Sequence, residues 1–303
     1  MMERTEFPGF KPVGLEDRHI LAPLLHAYKP ETSELTFTNL FIWRNHYNFQ
    51  WSLYHDWLFL IIEEEKNGVY ALEPIGPSPR DKVTRMLLEW LGKERREQKP
   101  RIERADERLV LELEGAEGIA IEETRDQFDY VYLKDDLVQL AGNKYRSKRN
   151  HINQLSRAYG YSYARLTKDH IPDCLALQDR WCEMRRCEDD LNLLGEWDAV
   201  KEILGFYESL RVEGAVITIK DKVMAFTFGE MLNDHTAVVH IEKADPDIPG
   251  LYPVINQQFC ENSLMNARYI NREQDLGVPG LREAKLSYYP HHLVKKFRIA
   301  LNQ

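Results

Sequence analysis

"YINREQDLGVPGLREAKLSYYP", residues 269–290, sets asparagine, arginine, glutamine, two acids and a glycine onto the end of what reads as a buried strand. With a strand's period of two, Tyr269, Asn271, Glu273 and Asp275 share one face and Ile270, Arg272 and Gln274 the other. Neither face is apolar past Ile270. A buried strand should continue in Val, Ile and Leu, and polar groups there need partners, because each one left unsatisfied costs several kcal/mol. In the helix that follows, "GLREAKLSYY" (280–289), Leu281, Ala284, Lys285 and Tyr288 recur at helical spacing, which puts Lys285 on the inward stripe facing Glu273 or Asp275. Two readings stay open: an ion pair that locks helix to strand, or a strand that ends in a ligand cleft.

Upstream, "HIEKADPDIPGLYPVINQQF" (240–259) reads as a strand delivering His240 and Glu242 into a loop that opens a helix at Pro249-Gly250. Backbone N–H groups at a helix start attract phosphate or carboxylate. Only one glycine stands at this junction, and Asp245 and Asp247 repel phosphate, which weakens a coenzyme A pyrophosphate cradle. Before it come the strands "AVITIK" (215–220), "VMAFTFGEML" (223–232) and "HTAVVHIEK" (235–243), the first two turning at Asp221-Lys222. From 215 to "VKKFRIAL" the order strand, strand, strand, helix, strand, helix, strand is that of an acyltransferase-like mixed sheet. The earlier half has a hairpin around Asn67-Gly68 and an amphipathic helix "RDKVTRMLLEWLGKERREQ" (80–98), so it too is α+β. The boundary is placed near residue 140, giving domains 1–140 and 141–303.

One stretch stands apart in charge. Between Asp136 and Asp169 there is no acid, while Lys144, Arg146, Lys148, Arg149, Arg157, Arg165 and Lys168 all occur, in a chain of net charge −9. A solvated helix face explains such a run. Contact with RNA phosphates is the other reading, with Lys144, Arg146, Lys148 and Arg149 as the candidate tRNA-binding residues and Tyr145 and His151 interleaved.

The remaining composition narrows the class. A chain of 303 residues, 43% hydrophobic and 11% aromatic, suffices for two packed cores, and its acidity excludes coating nucleic acid by bulk charge. Cys174, Cys182, Cys187 and Cys260 make no CxxC pair and no zinc spacing, so reduced core thiols and no metal site are expected. The N-terminus lacks an apolar signal region, and the apolar run "WLFLII" (57–62) falls far short of the ~20 residues that span a bilayer. A cytoplasmic protein is expected.

The stretches "YRSKRNHINQ", "HIEKADPDIPGLYPVINQQF" and "NREQDLGVPGLREAKLSYYPHHLVKKFRI", with "SELTFTNLFIW" (33–43), resemble the family of proteins like the C-terminal domain of lysylphosphatidylglycerol synthases, over most of the chain. The resemblance implies an α+β fold of two tandem GNAT-like domains, as in the Fem-type aminoacyl transferases. It also implies aminoacyl-tRNA as donor, with lysine or alanine moved to phosphatidylglycerol or, in the Fem group, to cell-wall precursors. The sequence shows no counterpart of the multispanning membrane half of the full-length synthases.

The first functional expectation is thus an acyl or aminoacyl transferase with its cleft between strands 236–243 and 267–275. Glu242 and Glu273 are the candidate bases, Lys285 and Asn271 the charge stabilisers, and Tyr288 the proton donor to the leaving group. His240, Asn271, Asp275 and Tyr288 are the candidate substrate-binding residues, and the acceptor is an anionic lipid headgroup, a peptide or a small molecule. The second expectation is an N-acetyltransferase with acyl-CoA as donor, which requires a row of free N–H groups in the loop 243–250. The third is a non-catalytic ligand-binding protein of the same fold.

Overall fold

Runs of branched and aromatic residues, punctuated by Gly, Asn and Asp, build two seven-stranded sheets. The computed structural model describes residues 5–64 and 67–302. The first sheet contains β1 (Lys11–Pro12), β2 (Gln50–Tyr54), β3 (Trp57–Glu64), β4 (Gly68–Ala71), β5 (Arg101–Ala105) and β6 (Ile119–Glu123). Its order is β1-β2-β3-β4-β5, then the C-terminal strand Phe297–Leu301, then β6. The pair β4–β5 is parallel, and the others are antiparallel.

The helices of this half are α1 (Arg18–Tyr28), α2 (Phe37–Ile42), α3 (Arg44–Tyr47), α4 (Asp81–Lys93) and α5 (Glu107–Glu112). In α4 the buried residues Val83, Thr84, Leu87, Leu88 and Leu91 follow the helical period and pack over Phe59, Ile61, Ile102 and Ile299 of the sheet. The stretch "SELTFTNLFIW" is core. Thr36 caps α2 by accepting the Asn39 amide at 3.0 Å. Asp129 accepts from the Ser33 amide and hydroxyl, and the fully buried Lys296 ammonium lies 2.7 Å from Glu34 and 2.6 Å from Asp129.

The second sheet is formed by β7 (Asp129–Leu133), β8 (Ser162–Arg165), β9 (Glu213–Ile219), β10 (Lys222–Met231), β11 (Thr236–Ala244), β12 (Tyr269–Asn271) and β13 (His292–Val294), in the order β13-β7-β12-β11-β10-β9-β8. The strand Phe297–Leu301 of the first sheet is then β14. Here β11 and β12 pair in parallel. Lys220 and Asp221 both adopt positive φ, which makes a hairpin turn one residue before the expected Asp221-Lys222. The helices are α6 (Lys134–Gln139), α7 (Arg146–Ala158), α8 (Ile171–Arg185), α9 (Leu191–Gly205), α10 (Tyr207–Leu210), α11 (Leu251–Asn262) and α12 (Pro279–Leu286).

The two sheets share one plan: four strands in sequence, then a parallel neighbour, then a strand drawn from elsewhere in the chain, β14 in the first and β7 in the second. The compact units accordingly run Met1–Asp129 with Gln274–Pro279 and Leu293–Gln303, and Tyr130–Glu273 with Gly280–His292. This division differs from a single cut near residue 140. Strand partners are chosen by long-range pairing, which the order of elements along the chain does not encode.

The cysteines also depart from expectation. Cys182 and Cys187 form a disulfide, because Arg186 ends α8 in the left-handed conformation and turns the chain back until the two Cα atoms lie 5.1 Å apart. Cys174 and Cys260 are free and buried.

Candidate active site

The candidate site lies in the second unit, where β11 outruns its parallel partner. Pairing of β11 with β12 covers Thr236–Tyr269, Ala237–Ile270 and Val238–Asn271, and β11 continues to Ala244. Strand β12 is shorter than the expected 267–275. The polar run after Asn271 leaves the sheet, which explains why neither of its faces is apolar. In open sheets such a divergence of strands is where ligands find room.

A bulge sits at the same point. The register between β10 and β11 passes from Phe228–Ile241 to Gly229–Val239, so His240 has no residue opposite it. Glycine is needed at 229, since a Cβ there would stand 2.5 Å from the Val238 carbonyl oxygen. Bulging turns the His240 ring, 0% exposed, between two carboxylates. Nε2 lies 3.0 Å from Glu230 and Nδ1 3.0 Å from Glu273, and both acids stay partly exposed, at 23% and 17%. Burial disfavours the imidazolium, but the hydrogen bonds and charges of Glu230 and Glu273 outweigh it and push the pKa up to about 9. At neutral pH the ring is a cation that donates from both nitrogens. Glu273 is itself held: its φ is positive, at 57°, and its amide donates to the Asn271 side chain at 2.8 Å.

Glu242 has a different environment. One of its oxygens accepts from Arg272 at 2.9 Å and the other from Asn256 at 3.1 Å. Lys285 donates to the main-chain carbonyls of Arg272 and Glu273, the latter at 3.3 Å. The helical stripe reads differently as well. Tyr288 is buried and Lys285 half-buried, while Leu281 and Ala284 are exposed. Asp275 falls in the first unit, where its carboxylate takes the Gly277 amide at 2.8 Å and Arg125 at 3.4 Å. Tyr288 packs under Arg272, 4.9 Å from ring centroid to guanidinium, and burial raises its phenol above the ordinary range against the pull of Arg272.

The four basic residues of the candidate RNA contact do not form one exposed patch. Lys144 and Arg146 are exposed, but Lys148 and Arg149 are half-buried, and Arg149 donates to the carbonyls of Leu140 and Gly142.

Three residues of the site escape reading from the sequence. Glu230 closes the His240 ring, yet only the bulge brings it there. Arg272 occupies the face opposite Glu273 and pairs with Glu242. Lys243, 3% exposed, lies 3.5 Å from the Trp181 ring centroid and 2.8 Å from Glu196, with burial lowering its pKa against the pull of Glu196. Burial pushes the Cys174 and Cys260 thiols up to about 12, which leaves both inert as nucleophiles at neutral pH.

In the loop before α11, the amides of Asp245, Asp247 and Ile248 donate to the Met224 carbonyl, the Asp245 side chain and the Asp245 carbonyl. They are engaged within the protein. No group of three or more His, Cys, Asp or Glu residues suited to a metal ion occurs among the described residues, nor does any helix there have the length and apolarity to cross a membrane.

Two mixed sheets of one plan, with a divergent parallel pair beside a polar cluster, define a tandem GNAT-like protein. The same fold appears in a tandem GNAT protein from the clavulanic acid biosynthesis pathway, at TM-score 0.50 and 8% identity over 97% of this chain and 98% of that one. Residues 26–300 match the family described as phosphatidylglycerol lysyltransferase, C-terminal, and the chain belongs to that family. A conserved protein of unknown function from Bacteroides thetaiotaomicron is 34% identical, with TM-score 0.89 over 97% of this chain and 99% of that one. The C-terminal domain of a putative lysylphosphatidylglycerol synthetase from Agrobacterium fabrum has TM-score 0.64 at 13% identity, covering 95% and 92% of the two chains, a likeness of fold.

Proposed function

We propose that the protein is an aminoacyl transferase that moves an aminoacyl group from aminoacyl-tRNA to an amine or hydroxyl acceptor. The observation that carries this reading is the Glu230–His240–Glu273 cluster beside the divergence of β11 and β12. Acyl transfer from an ester needs a group that takes the acceptor's proton and a positive field that steadies the developing oxyanion. Glu273 is the base: it is partly exposed, fixed at its backbone, and oriented by a buried cation that does not itself reach substrate. Glu242, with both oxygens engaged, is a positioning residue that holds Arg272. Lys285 fixes the backbone carrying Glu273, and the neutral Tyr288 phenol remains a donor for the leaving group.

The engaged amides of the loop before α11, with Asp245 and Asp247 beside them, disfavour acyl-CoA as donor. Family membership supports aminoacyl transfer, and the acceptor class follows from the chemistry of the base.

The test is mass-spectrometric transfer from a charged tRNA pool to a panel of phosphatidylglycerol vesicles, amino sugars and peptides, run beside acetyl-CoA. Turnover should occur with the charged tRNA and fall by about 10²-fold or more in Glu273→Gln, as loss of a general base demands. Turnover with acetyl-CoA alone would overturn the reading, and so would full activity in that variant.

A further inference from the structure

Lys148 lies in the first turn of α7, and Lys144 in the 3-10 turn Asn143–Tyr145 that leads into it. Lys144 lies 4.8 Å from the Tyr145 ring and 5.4 Å from that of Tyr289, while Lys148 lies 4.2 Å from the Tyr288 ring. The Tyr145 hydroxyl donates to the Tyr288 carbonyl at 2.9 Å, and its ring meets Tyr289 edge-on at 5.6 Å. These contacts pin an aromatic pair against the helix. Tyr288 is buried, and Tyr289 keeps 49% of its surface in solvent.

Behind Lys148 is Arg272. Its Nη2 pairs with Glu242, but its Nη1 is buried and has no hydrogen-bond partner among the described residues. Nor does Lys148 have a carboxylate within ion-pair distance among them. Two cations against one acid leave this corner with a net positive charge, and burial, then Arg272, lowers the Lys148 pKa, with Glu242 opposing. An anion placed there would relieve both strains.

We infer that Lys148, backed by Arg272 and flanked by Tyr289, is a subsite for a phosphodiester of single-stranded RNA, with the adjoining base stacked on Tyr289. The inference rests on the aminoacyl-tRNA reading above and locates its 3′-terminal nucleotides. A lone carboxylate ligand would need Lys148 but not the rest. Exposed Lys144, 5.4 Å from the Tyr289 ring and 3.6 Å from Asp136, and exposed Arg146 add positive charge near this corner, which suits a polyanion, and the exposed Tyr289 ring suits an unpaired base. In an acidic chain, the half-buried Lys148 backed by the unsatisfied Arg272 Nη1, next to a stacking face, distinguishes the surface from an ordinary solvated helix.

The experiment compares deacylated bulk tRNA with the same tRNA trimmed of its 3′-terminal single-stranded nucleotides, by fluorescence titration at two salt concentrations. Intact tRNA should bind the unmodified protein more tightly than trimmed tRNA. Lys148→Met and Tyr289→Ala should each weaken intact tRNA by about tenfold, the effect of one charge-assisted hydrogen bond or one stacked base, and leave trimmed tRNA as it was. Lys148→Arg, which keeps the charge, should restore binding and so separates loss of contact from loss of fold. If both variants bind intact tRNA like the unmodified protein, the subsite is refuted while the aminoacyl-tRNA reading stands. If the unmodified protein binds no tRNA at low salt, both fall.

Discussion

His240 Nδ1 lies 3.0 Å from Glu273 Oε1, and the imidazole so held is wholly buried. The carboxylate of Glu230 at Nε2 completes the enclosure. Two acids around a ring that water cannot reach turn a residue that ordinarily titrates near neutrality into a fixed cation.

That relationship has a pH signature. The ring's pKa is pushed up to about 9 in the folded protein from the ordinary 6.5 of an unfolded chain, so its contribution to stability is complete below pH 6.5 and is lost as pH rises through 9. The gap corresponds to about 3 kcal/mol. Denaturant unfolding at pH 6 and pH 9.5 should show a larger loss in the unmodified protein than in His240→Gln, by about that amount. An NMR titration of the ring should have its midpoint near 9, and a midpoint near 6.5 would remove the fixed-cation argument.

Gly229 is the second point at which the site can be probed without touching its chemistry. A methyl group at 229 must displace the Val238 carbonyl 2.5 Å away, in the bulge that turns His240 inward. Gly229→Ala should destabilise by about 2 kcal/mol, within the usual range for backbone strain in a core, and should lower the His240 midpoint toward 6.5. A destabilised variant whose midpoint stays near 9 would show that the bulge and the ring's enclosure are independent.

Much of this was legible beforehand, for identifiable reasons. Strands β9, β10 and β11 show a clear apolar pattern between turn residues, and α4 shows a helical one. The polar run 271–275 announced itself because a core strand cannot carry it unpartnered. Glu230 was silent because its position depends on one extra residue in the neighbouring strand, and a bulge shifts register without changing composition. The sheet that β14 joins was equally hidden, since Phe297–Leu301 suits either sheet by its own residues. Lys148 read as one of four equal cations. Its inward turn depends on Tyr288, 140 residues later, which packs beneath it.

The Lys296 cluster of the first unit gives the sharpest stability prediction. Lys296 is fully buried, with Glu34 at 2.7 Å and Asp129 at 2.6 Å, and Asp129 is further fixed by the Ser33 amide and hydroxyl. Burial raises the Glu34 pKa and the Lys296 ammonium opposes that rise, while the Asp129 charge adds to it. Replacing Lys296 by Met removes the cation nearest both acids and leaves Asp129 against Glu34 out of water, with Arg104 3.8 Å from Glu34. Removing one partner of a buried pair costs about 3 to 5 kcal/mol, far more than an exposed pair contributes. Because the raised folded pKa of Glu34 means that its protonated form is favoured in the folded state, the variant should regain stability as pH falls toward and below the ordinary carboxylate value. The double variant Lys296→Met with Glu34→Gln should recover part of the loss at neutral pH, because the repulsion between the Glu34 and Asp129 charges is then removed. Denaturant unfolding of both variants at pH 5 and pH 7.5 measures all three effects. A single variant within about 0.5 kcal/mol of the unmodified protein, the range of ordinary surface changes, would mean that water reaches these acids and that the cluster is not the closed ionic core its geometry describes.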